Sequence, residues 1–170
     1  MILGIIEQLL RFNVQIIVIG AGEKHYIKEL KRIARRYPKK LVVAASHEMN
    51  QKYETLVYSG ADFFMLPSHH EPCGINQLIA MRYGCVPIVR KVGGLQDTVE
   101  DFNPITGEGT GFSFEWFDGY SLYATIVRAL ENFKYKKVFR EIMVRAMQQS
   151  NSWLIPASKY VSLYEEILKK

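Results

Sequence analysis

The residues Ser68-His69-His70-Glu71-Pro72-Cys73-Gly74-Ile75-Asn76-Gln77 concentrate the chemistry of this sequence. Apolar Phe63 to Leu66 precede them, and helical apolar spacing resumes from about Ile75 to Tyr83, before Gly84. The segment therefore joins a strand to a helix. Glu71 places a carboxylate just ahead of the helix start. Pro72 stiffens the approach, and Gly74 lets a ligand come close to the backbone. The first N–H groups of a helix have no partner within it and form an anion site. A carboxylate beside such a site suits a sugar phosphate: amides for the phosphate, Glu71 for hydroxyls or a developing positive charge. The same residues also fit a plain turn, with Glu71 answering the helix dipole and Gly74 in a tight bend. Spacing alone leaves both open.

His69, His70, Glu71 and Cys73 are all metal-ligand types. Adjacent residues of an extended stretch point opposite ways, so His69 and His70 do not share an ion. The spacing also matches no zinc pattern, and no metal or other cofactor is expected. Cys73 reads as oxidation-sensitive rather than catalytic.

Two further loops bear on the site. Gly20-Ala21-Gly22-Glu23 suggests a dinucleotide turn but has His25 where a third glycine belongs. No acidic residue ends the following strand, so a tight turn is preferred, with room for a base or ribose. Arg90-Lys91-Val92-Gly93-Gly94-Leu95-Gln96-Asp97-Thr98 is richer. Gly93 and Gly94 permit close backbone approach, and with Gly74 they would enclose a small polar molecule. The plainer reading is a turn with Asp97 capping a short helix.

The elements that must position these loops follow from the apolar pattern. Val14–Ile19, Leu41–Ala45, Phe63–Leu66 and Val86–Val89 read as buried parallel strands, and Gly111–Phe114 as a short fifth. Helical spacing runs over Met1–Leu10, Glu23–Tyr37, Met49–Tyr58 with a stop at Gly60, Tyr120–Phe133, Lys136–Gln148 and Ser158–Leu168. The alternation predicts an α/β domain, a Rossmann-like parallel sheet with helices on both faces. Ligands in such sheets bind at the carboxyl ends of the strands, where these loops lie.

The length of 170 residues suits one domain over 1–170, and 48% apolar residues suffice for a core. No stretch of eighteen apolar residues suggests a membrane span. The absence of a signal-type start and of a disulfide pattern points to the cytoplasm. The net charge is +5, with a basic run at Lys28, Lys31, Arg32, Arg35, Arg36, Lys39 and Lys40. Interleaved apolar residues make this a solvated helix face, and without an accompanying motif nucleic acid is not an expected partner.

Read together, several stretches resemble the bacterial-type glycogen synthase and plant starch synthase family. They are Gly60-Ala61-Asp62, Pro67-Ser68, Glu71-Pro72-Cys73-Gly74, Asn76-Gln77, Met81-Arg82-Tyr83-Gly84, Val86-Pro87, Val92-Gly93-Gly94-Leu95 and Asp97-Thr98-Val99. Gly109-Thr110-Gly111-Phe112 and Ser152-Trp153 extend the likeness over nearly the whole chain.

The resemblance implies the C-terminal, donor-binding half of a GT-B fold. It also implies a metal-independent retaining enzyme that moves glucose from ADP-glucose, or UDP-glucose, to the non-reducing end of an α-1,4-glucan. Glu71 would meet the glucosyl group as the catalytic residue. Cys73, Gly74 and Ile75 would offer amides to the sugar, and Asn76 and Gln77 would stand at the phosphate-holding helix start. Gly93 and Gly94 complete the expected donor site.

The sequence departs from the family at His69 and His70, which replace an arginine and an aromatic, and at Met49, near a base-stacking aromatic position. It also starts where the family is already in its first helix. The first strand, its arginine and lysine, and the acceptor domain are then expected to be missing. The isolated chain is accordingly expected to be inactive and to self-associate through unpaired strand edges. The competing reading is a stand-alone nucleotide- or glucan-binding module.

Overall fold

The computed structural model describes residues 1–169, apart from the side chains of His47, Asn50 and Gln51. A 3-10 turn at Ile2–Gly4 and helix α1 (Ile6–Leu9) lead into β1 (Ile16–Ile19), α2 (Lys24–Arg36) and β2 (Leu41–Ala44). Then follow α3 (His47–Gly60), β3 (Phe63–Leu66), α4 (Asn76–Arg82), β4 (Val86–Arg90), α5 (Gly94–Thr98) and β5 (Phe112–Phe114). The chain closes with α6 (Gly119–Lys134), α7 (Lys136–Gln148) and α8 (Leu154–Leu168).

Every strand pair is parallel, but the strands form two sheets: β1–β2, and β3–β4–β5 with β4 central. β1 and β3 share no ladder. The single sheet expected from the sequence is thus divided into two.

β4 explains the larger half. Val86 and Ile88 pack with Phe112 of the adjacent β5 and with Leu122, Ile126, Phe139 and Ile142, so α6 and α7 close one face. Val89 packs with Met81, Leu95, Val99 and Ala146, so α4 and α5 stand on the other face. β3 alternates likewise, Phe63 and Met65 toward the first cluster, Phe64 and Leu66 toward the opposite face. This period of two, buried on both sides, is what the continuous apolar runs encode. In the smaller half, α2 lays Leu30 and Ile33 on β1 and β2. On the other face Ile17 and its neighbour Val42 are 50% and 53% exposed.

Helix ends follow local chemistry. α4 finishes in a Schellman motif: Gly84 has φ +79°, Gly84 N–H donates to Met81 O and Cys85 N–H to Ala80 O. Ser46 caps α3 by accepting from Met49 N–H at 3.2 Å, and Asp118 caps α6 by accepting from Ser121 N–H at 2.8 Å. Several expected boundaries move: Met1–Leu10 is a 3-10 turn and the short α1, β1 starts at Ile16 rather than Val14, and α3 starts at His47 rather than Met49. α3 runs through Gly60, whose φ is not positive, and ends at Ala61. α8 starts at Leu154 rather than Ser158, because Pro156 falls in the first turn, where its missing N–H is no loss.

Candidate functional site

Within each sheet the carboxyl ends lie together, which gathers the loop from Pro67 to Ile75 beside those that follow β4 and β5. Glu71 is half-buried at the crest of its loop, and Ser68 Oγ donates to its Oε2 at 3.4 Å. Among the described residues no basic side chain forms an ion pair with Glu71. Cys73, Ile75 and Asn76 are exposed along the approach to α4.

The turn after Glu71 is held from beneath. Gly74 adopts φ +70°, and a Cβ there would lie 2.5 Å from Gln77 Oε1. Gln77 is 0% exposed. Its Nε2 donates to Gly74 O at 2.8 Å, Cys73 O at 3.3 Å and Thr98 Oγ1 at 3.1 Å. Thr98 Oγ1 in turn donates to Gly94 O at 2.6 Å. Gln77 was expected beside the donor. Its side chain instead braces the turn from inside, and only its backbone N–H stays at the helix start.

Gly93 and Gly94 are also more specific than the sequence suggested. A Cβ on Gly93 would lie 2.0 Å from Glu71 O, and one on Gly94 1.9 Å from Cys73 O. Gly94 N–H donates to Glu71 O at 3.2 Å. The close approach these glycines allow is to the backbone of the Glu71 loop. Gly93, with φ +47°, takes the N-cap position of α5, and Asp97 lies inside that helix rather than capping it.

Two residues with no assigned role in the sequence reading join the site. Arg90 Nη1 donates to His69 O at 2.9 Å and Ser68 O at 3.5 Å, and its Nε donates to Glu115 O at 3.2 Å. Its guanidinium lies 5.5 Å from the centre of the Phe117 ring. Phe117 meets the His69 ring edge-on at 4.6 Å. His69 therefore packs on an aromatic ring. The available signal was the position of Arg90: a cation ending a wholly apolar strand stands where the loops converge. Gly20 to Glu23 forms an open turn, with no heavy atom within 4 Å of a Cβ placed on Gly20 or Gly22.

Residues 3–143 match the family described as "Glycosyl transferases group 1". The chain belongs to that family. It is 47% identical over 164 residues to the glycogen synthase of Caldicellulosiruptor bescii, covering 96% of this chain and 34% of that protein. It is 38% identical over 171 residues to glycogen synthase 1 of Synechocystis sp., covering 100% of this chain and 35% of that protein. Among solved structures, the catalytic domain of Starch Synthase IV from Arabidopsis thaliana, bound to ADP and acarbose, superposes with a TM-score of 0.82 at 28% identity. That match covers 98% of this chain and 35% of the other. This glycosyltransferase chain thus spans about a third of the length of the curated relatives it matches. Its parallel strands with helices on both sides are those of the C-terminal part of a GT-B fold. No described helix is long and apolar enough to cross a membrane.

Proposed function

We propose that this chain is the donor-binding part of a retaining α-1,4-glucosyltransferase, which moves glucose from ADP-glucose or UDP-glucose to the non-reducing end of an α-1,4-glucan. The observation that carries the reading is the likeness to curated glycogen synthases over 96% of the chain. It runs through an unpaired carboxylate at Glu71 and a turn built to hold it.

In this reading the bond between glucose C1 and the diphosphate oxygen breaks, and the diphosphate leaves with the electron pair. The acceptor hydroxyl adds to C1 from the same face and gives its proton to the departing diphosphate oxygen. Positive charge develops on the sugar at the transition state, and Glu71 stabilises it. That is charge complementarity in the transition state more than in the ground state. The N–H groups of Cys73, Gly74 and Ile75 orient the sugar, and the start of α4, at Asn76 and Gln77, faces the phosphates.

A helix N-terminus contributes only roughly 0.3–2 kcal/mol toward an anion. Tight donor binding therefore needs cations from the rest of the full-length polypeptide, as does the second wall that holds the acceptor and excludes water. The test is incorporation of radiolabelled glucose into glycogen. The full-length polypeptide carrying this sequence should transfer glucose, and the 170-residue chain alone should not. Turnover by the isolated chain would overturn the division of labour. Failure of the full-length protein with both donors would overturn the activity itself.

A further inference from the structure

We infer that Arg90 is the positioning residue of the Glu71 loop, a bridge that sets the direction from which that carboxylate meets its ligand. The inference rests on the role proposed for Glu71.

The loop that carries Glu71 leaves β3 at Leu66 and is anchored twice from the neighbouring strand β4 and its extension. Beyond Glu71, Gly93 and Gly94 lock the backbone of residues 71–73. Before Glu71, Arg90 binds the carbonyls of Ser68 and His69. Ser68 is also the residue whose hydroxyl donates to the Glu71 carboxylate. Removing Arg90 releases the segment that aims Glu71 while leaving the glycine lock in place.

The same guanidinium reaches the opposite way to Glu115 O, in the loop after β5, and lies against Phe117, which packs on His69. Arg90 thus joins the loops on both sides of the central strand. Its base is rigid, because Val86 to Val89 are buried. Among the described residues no carboxylate pairs with it. Its hydrogen bonds among the described residues all go to carbonyls, which charge assistance strengthens. A planar fork spans carbonyls in two loops, whereas a lysine offers a single point of attachment.

The test is a double-mutant cycle in the full-length polypeptide, read together with amide hydrogen exchange. Arg90→Gln should lower kcat by about tenfold or more, as expected when a reacting group is misplaced by a fraction of an ångström. The donor KM should stay within about threefold, because uniform binding is retained. Arg90→Lys should recover only part of the loss. In the Glu71→Gln background, adding Arg90→Gln should lower kcat no further, since Arg90 acts through Glu71. Exchange should rise in residues 68–71 and 115–118 while β4 stays protected, a pattern that general destabilisation would not give. Multiplicative losses in the cycle, full activity of Arg90→Gln, or unchanged exchange in both loops would each overturn the proposal. If the wild-type polypeptide transfers no glucose, the activity reading fails by itself. Exchange in the 68–71 and 115–118 segments still decides the bridge.

Discussion

Glu71 is the residue on which the proposed chemistry turns, and its substitution separates binding from catalysis. Glu71→Gln keeps the shape and the Ser68 contact but removes the charge. In the full-length protein kcat should fall on the order of 100-fold or more, with donor affinity little changed. Steady-state kinetics with either sugar nucleotide checks this, and weaker binding with unchanged turnover would assign Glu71 to the ground state. The two cysteines offer a second measurement. Burial, then the nearby Asp62 charge, pushes the Cys85 thiol up to about 12, whereas Cys73 is exposed. A thiol-reactive dye at pH 8 should label Cys73 in the native chain, and Cys85 only after denaturation. Much at this scale was legible beforehand. A carboxylate, a proline and a glycine between an apolar run and a helical run mark a loop with chemistry in it. Gln77 was placed at the helix start, and the inward course of its side chain was not anticipated. Its place on one helical face with Ala80 and Met81, all buried, was the signal that it points inward.

Elements depend on how closely these loops pass. Gly93→Ala must fit a Cβ against Glu71 O in a positive-φ conformation. The strained backbone alone costs about 1–3 kcal/mol. The unfolding free energy extrapolated from urea denaturation should fall by at least that much, with relaxation of the overlap displacing Glu71 and lowering turnover as well. The junction of α3, α4 and the start of β4 makes a pH prediction. Burial, then Glu54, pushes the Tyr58 hydroxyl up to about 12, and Cys85 lies in the same cluster. The unfolded chain releases these protons near about 10 and 8.5. Above pH 8.5 the unfolded state therefore binds fewer protons than the folded one, and stability falls as pH rises toward 12. Denaturation midpoints measured from pH 8 to 11 should decline steadily. Most elements were readable from apolar periodicity, because both faces of the strands in the larger sheet are covered. Two of the ends that moved, at Gly60 and Leu154, are those where a glycine or proline has two compatible roles and only the fold selects one.

At the scale of the whole molecule, the division into two sheets was only one of the outcomes the sequence allowed, since strand pairing depends on residues far apart in the chain. β1 and β3 carry no ladder to each other, and α8 buries none of its apolar residues. Free edges and uncovered apolar helices favour association. The isolated chain should therefore sediment as a concentration-dependent mixture, and a strictly monomeric species across the micromolar range would contradict this. The two sheets are joined in part by α1 and the residues flanking it, while Ile2 and, in β1, Ile16 also pack on both clusters. Leu9 of α1 and the preceding Ile5 pack into the cluster around β4 and β5, and Ile6, with the adjacent Leu10, into the cluster around β1, β2 and α2. One turn of helix is a rivet between two bodies of unequal size. They need not open together: β1, α2 and β2 form a separable cooperative unit, a foldon of lower rank. Amides of β1 and β2 should exchange through this partial opening, and those of β4 only through global unfolding. Ile6→Ala, which costs about 2–5 kcal/mol when a buried isoleucine leaves a cavity, would then strip protection from the smaller unit first.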